Sequence, residues 1–184
     1  MTYEICRYPV ELIDVVRLAC GARVLIRPVL PQDQELMAAF FHDLSPDARC
    51  QRFMHPLREP PPDLLRQLTH VDYARHVALV AETFAGKCEN VIGEARYVRV
   101  AEPSSAEVSM SVADPWQGNG LAKMMLAKLE CRAAAAGIPR LTAETLAANE
   151  KLLSLARDAG FSESCAVRDV IRLEKILIPD RAGS

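Results

Sequence analysis

The segment Val112-Ala-Asp-Pro-Trp-Gln-Gly-Asn-Gly-Leu-Ala122 constrains this chain more than any other. A short apolar strand runs into a Pro-Trp turn. A glycine-spaced loop then opens directly into a long amphipathic helix. Such a junction aims several backbone N–H groups and the positive end of a helix dipole at one spot. It calls for a strand followed by a helix, and for an anionic occupant, a pyrophosphate above all. The functional question is which pyrophosphate.

Three glycine motifs compete for Gln117–Ala122. A P-loop needs G-x-x-x-x-G-K-[ST], which the chain lacks. A dinucleotide fingerprint needs G-x-G-x-x-G. Gly118 and Gly120 supply its first pair, but Lys123 stands where the third glycine belongs. The motif also follows several strands instead of opening the fold. The third pattern, [Q/R]-x-x-G-x-[G/A], is met at every fixed position by Gln117-Gly-Asn-Gly-Leu-Ala122.

Periodicity organises the rest into one α/β (α+β) domain. Arg23–Arg27 alternates and reads as a strand. Gln32–Leu44 places Leu36, Met37, Phe40 and Phe41 at helical spacing. Ser45-Pro46 is a helix start, with Ser as N-cap and Pro in the first turn of a helix running to about Phe53. Asp63–Leu68 adds another turn or two. His76–Glu82 and Val91–Val100 form a hairpin across the polar link Thr83–Asn90. Glu107–Ala113 is the strand into the loop, with Val108, Met110 and Val112 on one face and Glu107, Ser109 and Ser111 on the other. Gly120–Ala136 is a helix stopped by Gly137. Arg140–Leu146 is a strand, Asn149–Ala159 a helix ended by Gly160, and Val167–Ile178 a last strand region. The expectation is a central mixed, largely antiparallel sheet of about six to seven strands with helices on both faces. Residues 1–22 read as an N-terminal extension, 23–178 as the domain and 179–184 as a flexible tail. Within the extension, Glu11–Leu18 suits a short helix or a strand equally.

Composition narrows the class. The chain has 184 residues and a net charge of −2, which gives no global drive toward nucleic acid or a membrane. No apolar run approaches the roughly 20 residues of a bilayer span. Glu4, Arg7, Glu11 and Asp14 interrupt any signal-peptide core, so a cytoplasmic location is expected. Cys6, Cys20, Cys50, Cys88, Cys131 and Cys165 form no C-x-x-C pair and read as reduced thiols. His42, His55, His70 and His76 lie away from them at non-ligand spacing, so no metal is expected.

Gln117–Ala122, in its strand–turn–helix setting, resembles the coenzyme A loop of GNAT superfamily N-acetyltransferases. Asn149, the amphipathic helix after it and Gly160-Phe161 resemble that family's second block. Ile26-Arg-Pro-Val-Leu-Pro-Gln-Asp33, Leu44-Ser-Pro-Asp-Ala-Arg49, Arg52-Phe53 and Leu68-Thr-His-Val-Asp-Tyr73 bring the chain nearer one branch. They resemble the acetyltransferase domain of bacterial protein lysine acetyltransferases. Arg7-Tyr8-Pro9 is similar to the junction preceding that domain in fused members, so a stand-alone version is expected.

The resemblance implies a GNAT-like fold and acetyl-CoA as co-substrate. It places the pyrophosphate on Gln117, Gly118, Asn119, Gly120, Leu121 and Ala122, and the pantetheine amides on the backbone of Met110, Ser111 and Val112, with Asn149 on the pantetheine arm. Without the resemblance, Asn149 reads equally as a helix N-cap. In the family the strand parts from its neighbour at a bulge, which the sequence does not display.

A lysine amine of pKa about 10.4 is unprotonated about once in 2,500 molecules at pH 7. A base must take its proton, and backbone N–H groups can hold the oxyanion. Glu107 is the base candidate, because the matching glutamate serves so in the lysine acetyltransferases; spacing alone allows an ordinary solvated glutamate. Many family members carry a tyrosine as general acid where this chain has Ala156, which leaves the thiolate's proton to Ser154 or solvent. Cys131 and Cys165 raise a covalent acetyl-cysteine route, against which no histidine lies near either.

The leading reading is transfer of acetyl to a protein lysine, with an acyl-CoA synthetase as the substrate the resemblance suggests. The alternatives are an acetyltransferase for a small amine (polyamine, aminoglycoside or amino acid) and a non-catalytic acetyl-CoA-binding regulator. The acceptor surface is expected within residues 32–75, where Arg49, Arg52, Arg58 and Arg66 read as a solvated face or as a site for an acidic partner. A homodimer through the N-terminal extension is left open.

Overall fold

A computed structural model describes residues 7–85, 88–100 and 105–177. Its strands are β1 (Asp14–Arg17), β2 (Arg23–Pro28), β3 (His76–Ala85), β4 (Cys88–Val100), β5 (Ser105–Val112), β6 (Arg140–Leu146), β7 (Ser162–Val167) and β8 (Val170–Ile176). Its helices are α1 (Gln34–Asp43), α2 (Pro46–Phe53), α3 (Pro62–Thr69), α4 (Leu121–Ala135) and α5 (Glu150–Asp158). The strands form one sheet in the order β1-β2-β3-β4-β5-β6-β8-β7. Each neighbouring pair is antiparallel except β5 and β6, which α4 joins as a parallel crossover.

Among the described residues the sheet has eight strands, more than the six to seven expected. One addition is β1, which lies in residues 1–22 and pairs with β2, Asp14 facing Ile26 and Arg17 facing Arg23. Glu11–Leu18 thus resolves into a 3₁₀ turn (Val10–Leu12) and a strand. The other is β7. Ser162–Val167 is exposed at every position, so no apolar period marks it. Its turn into β8 carries Arg168 at φ 54°, where a glycine or asparagine would have flagged it. Residues 179–184 lie outside the described residues.

Alternation on the central strands serves two cores. Ala78 and Val80 face α1, α2 and α3 with Val29, Met37, Phe40, Phe41 and Leu68. Val77 and Leu79 face α4 and α5 with Tyr97, Val108, Leu129, Leu141 and Leu173. Burial on both sides is why these strands read as nearly continuous apolar runs.

Local signals set the helices that matter for the site. Ser45 Oγ accepts the Ala48 N–H at 3.2 Å and Pro46 opens α2, as its sequence requires. The same serine donates its hydroxyl to Asp114 Oδ1 at 3.0 Å and its N–H to Oδ2 at 3.1 Å. That contact ties α2 to the Pro-Trp turn leading into α4. At Gly93 on β4, an added Cβ would meet Leu121 Cδ2 at 3.2 Å, so this glycine lets the first turn of α4 approach the sheet.

Candidate functional site

The Gln117–Ala122 loop presents donors. Gly118 has φ 74° and Gly120 φ 85°, a region other residues enter only under strain. Around both, an added Cβ finds space, so conformation and not crowding demands glycine. Among the described residues no backbone carbonyl meets the N–H of Gly118, Asn119 or Gly120. Leu121 and Ala122 head α4, where N–H groups lack intrahelical acceptors. Side chains hold this shape. Gln117 Nε2 donates to Val112 O at 3.0 Å, and its Oε1 accepts from Lys151 Nζ at 2.8 Å. Asn119 Nδ2 donates to Trp116 O and Gln117 O, while its carbonyl accepts the Ala19 N–H from the β1–β2 turn. Gln117 and Asn119 therefore brace the loop, and the bare N–H groups face whatever anion it receives.

Beyond the loop the sheet opens. β5 and β6 pair only at Ala106–Leu141 and Glu107–Thr142. Both strands continue past these pairs, yet they part. The β4–β5 register is unbroken from Val100–Ser105 to Gly93–Val112, so the parting lies wholly on the β6 side and needs no bulge in β5. The resulting cleft is lined by Val108, Ser109 and Met110 from β5 and Ala143 and Glu144 from β6. Leu152, Leu155 and Ala156 line it from α5, and Gln51 and Arg52 line it from α2. Among the described residues Met110, Ser111 and Val112 remain paired to β4 and have no strand partner on the β6-facing edge, where Gln117 Nε2 meets the Val112 carbonyl. An extended amide chain can add along such an edge.

Glu107 is the last β5 residue paired to β6, directly before the cleft-lining Val108. Its side chain is exposed, and among the described residues it has no hydrogen-bond or ion-pair partner. It stands at the mouth of the cleft, opposite Val98 on β4, itself exposed. Asn149 caps α5, its Oδ1 accepting the Leu152 N–H at 3.2 Å. Ser154 is exposed on α5 and is not among the cleft walls; Cys131 and Cys165 are exposed free thiols, also away from it.

Beside the α2 wall lies a charge cluster that sequence reasoning missed. Arg52 Nε pairs with Glu94 Oε1, and Arg96 Nε donates to Glu94 Oε2 at 2.9 Å. Arg96 also donates to Leu68 O at 2.9 Å and lies 3.2 Å from His76 Nε2. Glu94 is fully buried. Burial alone would raise its carboxyl, but Arg52 and Arg96 outweigh that and hold it below the usual carboxylate range. Burial, reinforced by Arg96, pushes His76 down to about 4, so its imidazole is neutral at pH 7. Arg52, expected on a solvated face, has a side chain only 8% exposed. Arg49 is also inward, donating to the carbonyls of His42 and Leu44 behind α1, whereas Arg58 and Arg66 are exposed. The available signal was a Glu and an Arg at alternate positions of the otherwise apolar run Val91–Val98, Glu94 and Arg96, which two-sided burial does not tolerate without partners.

Among the described residues no three His, Cys, Asp or Glu side chains converge as metal ligands.

The family model for the acetyltransferase (GNAT) domain matches residues 23–162. The acetyltransferase PA5475 of Pseudomonas aeruginosa is 33% identical over 141 residues, covering 77% of this chain and 76% of that protein. The acetyltransferase Pat of Mycolicibacterium smegmatis is 33% identical over 135 residues, covering 73% of this chain. The match spans only 40% of that relative's length. The crystal structure of the GNAT domain of S. lividans PAT superposes with a TM-score of 0.85 at 30% identity, covering 92% of this chain and 99% of that one.

Proposed function

The chain belongs to the GNAT acetyltransferase family, and from that premise we propose that it transfers acetyl from acetyl-CoA to a protein lysine, with Glu107 as general base. One observation carries the reading. The strand that leads into the coenzyme A loop parts from β6 directly after Glu107. The carboxylate therefore stands where the opened sheet admits an amine to a thioester in the cleft. Glu107 takes one proton from the incoming ammonium. The nitrogen lone pair then forms the N–C bond at the thioester carbonyl. The tetrahedral oxyanion collapses, the C–S bond breaks with its electron pair leaving on sulfur, and the nitrogen gives up its second proton to solvent, which leaves the neutral amide.

A protein acceptor suits the surroundings better than a small one. Among the described residues the face carrying Glu107, Thr142, Glu144 and Arg172 has no helix over β8 and β7, and all of β7 is exposed. A small amine needs enclosure to be bound and oriented, whereas a macromolecule supplies its own walls. Val98 beside Glu107 offers apolar contact to a lysine stem. The sequence resemblance to bacterial protein lysine acetyltransferases makes an acyl-CoA synthetase the first protein substrate to try.

The test is mass spectrometry of acetyl-lysine in a lysate given this protein and acetyl-CoA, beside a Glu107→Gln control. New acetyl-lysine sites are expected with the wild type and not with the variant. Glu107→Gln should lower turnover on a responding substrate by about 10²–10⁴-fold at neutral pH while acetyl-CoA Kd changes little. Equal turnover of the two proteins from pH 6 to 9 removes Glu107 from the mechanism.

A further inference from the structure

The cleft has a polarity that the amine chemistry does not use. Breaking the C–S bond leaves a full negative charge on sulfur, in a space walled mainly by apolar side chains. On the α5 side the wall is Leu152, Leu155 and Ala156, none of whose side chains can donate a hydrogen bond. The polar walls are Ser109, Gln51, Glu144 and Arg52. Glu144 has the wrong sign and is engaged with Arg172. Ser109 and Gln51 are neutral. Arg52 is the one cation among these walls.

Its charge is not cancelled where it sits. Two guanidinium groups, Arg52 and Arg96, share the single carboxylate of Glu94, and neighbouring His76 is neutral. The buried cluster thus carries one net positive charge. Arg52 Nη2 is buried and, among the described residues, has no hydrogen-bond partner. The other charges facing this space are Glu107 on β5, Glu144 on β6 and Arg172 on β8, all exposed and screened by water, so they weigh less than the buried set.

Resting on the acetyl-transfer reading, we propose that Arg52 is the electrostatic partner of the leaving coenzyme A sulfur. Its uncompensated charge, fixed by Glu94 against Arg96, stabilises the thiolate as the C–S bond breaks. The electron pair departs on sulfur without a proton, and CoA leaves as the thiolate or takes a proton from solvent afterwards. No acidic side chain is then required at Ala156.

The experiment titrates the thiol of CoA bound to the protein, without any acceptor amine, by the ultraviolet absorbance of the thiolate. A free thiol titrates near 8.5. Bound to the wild type it should titrate at least about one unit lower, a tenfold change in the ionisation constant. Arg52→Gln should return it toward the free value, and Arg52→Lys should keep it lowered. With a responding amine, Arg52→Gln should lower kcat by about tenfold or more, with KM for acetyl-CoA changed by less than about threefold. A bound thiol that titrates at its free value in the wild type overturns the proposal, whether or not the variants fold. So does a lowered value that is the same in Arg52→Gln. CoA that fails to bind the wild type removes the acetyl-transfer reading together with this one, whereas CoA that binds with an unshifted thiol removes this one alone.

Discussion

The loop that follows β5 and the charge cluster beside the β5/β6 cleft are built from different materials. The loop is one stretch of chain, Gln117–Ala122, in which among the described residues the N–H groups of Gly118, Asn119 and Gly120 meet no backbone carbonyl. The cluster is four side chains from three elements: Arg52 of α2, His76 of β3, and Glu94 and Arg96 of β4. A backbone site is tolerant of side-chain chemistry but intolerant of conformation. A buried charge cluster is the reverse. Arg52 and Glu94 can be placed by many backbones, but removing Glu94 strands two buried cations, whereas Glu94 without Arg52 keeps Arg96. The difference also separates binding from stability, because an exposed loop can fail at little cost to the fold, and loss of the one carboxylate in a buried cluster cannot.

The largest effect should come from the cluster. Glu94→Ala leaves Arg52 and Arg96 buried together without an anion. The expected cost is about 3–5 kcal/mol of folding stability, read as a fall in Tm of roughly 10 °C. Partial recovery in the double variant Arg52→Met with Glu94→Ala would show that the cost is the stranded charge and not lost packing. A Glu94→Ala protein as stable as the wild type breaks the comparison at its first step.

At the loop, the expected effect falls on binding. Gly120→Val must hold a β-branched residue at φ 85°. Strain of about 2 kcal/mol weakens acetyl-CoA binding roughly 30-fold, measured by calorimetry. Because the loop is at the surface and the added side chain meets only Met124 Cε at 4.0 Å from its Cβ, Tm should move little. A large fall in Tm with unchanged affinity would assign Gly120 to the fold and not to the ligand.

This contrast also explains what could be read in advance. The loop is contiguous, so its glycines, the preceding strand and the following helix all lie within one window of sequence. The Ser45-Pro46 start of α2 and the Asn149 start of α5 were legible for the same reason. The Arg52–Glu94 pair joins residues far apart in the chain, and nothing in the local pattern of either names the other. Arg52 sits in a helix with charged neighbours and reads as solvated until α2 is laid across β4 and β5. The parting of β5 and β6 was equally hidden, since strand-forming residues continue through Leu146 on one side and Val112 on the other. β7 was missed because strands are recognised by a buried face and this one has none.

A pH series separates the two further. His76 is held near 4 in the folded protein against about 6.5 when unfolded, so the unfolded chain binds the extra proton first. Its neutral form contributes stability that is complete above pH 6.5 and is lost as pH falls toward 4. Allowing for its partial exposure, about 1–2 kcal/mol should disappear by pH 5. His76→Gln should flatten that part of the denaturation profile. A wild-type profile that is already flat from pH 7 to 5 would place a protonated imidazole in the cluster and raise its net charge above one.

The smallest effect tests the residue that belongs to both categories. Asn149 caps α5 through Oδ1, and among the described residues its Nδ2 has no acceptor. Losing the cap in Asn149→Ala should cost about 1 kcal/mol, a Tm shift of a few degrees. Asn149→Ser retains an oxygen that can accept the Leu152 N–H and removes only the amide nitrogen. If that nitrogen meets a pantetheine carbonyl, Asn149→Ser keeps the wild-type Tm and weakens acetyl-CoA binding by about fivefold, the worth of one net hydrogen bond. If Asn149→Ser binds acetyl-CoA as the wild type does, Asn149 acts on the ligand only by starting α5. The ligand would then be served by backbone alone, and the division between loop and cluster would be sharper than the side chains now suggest.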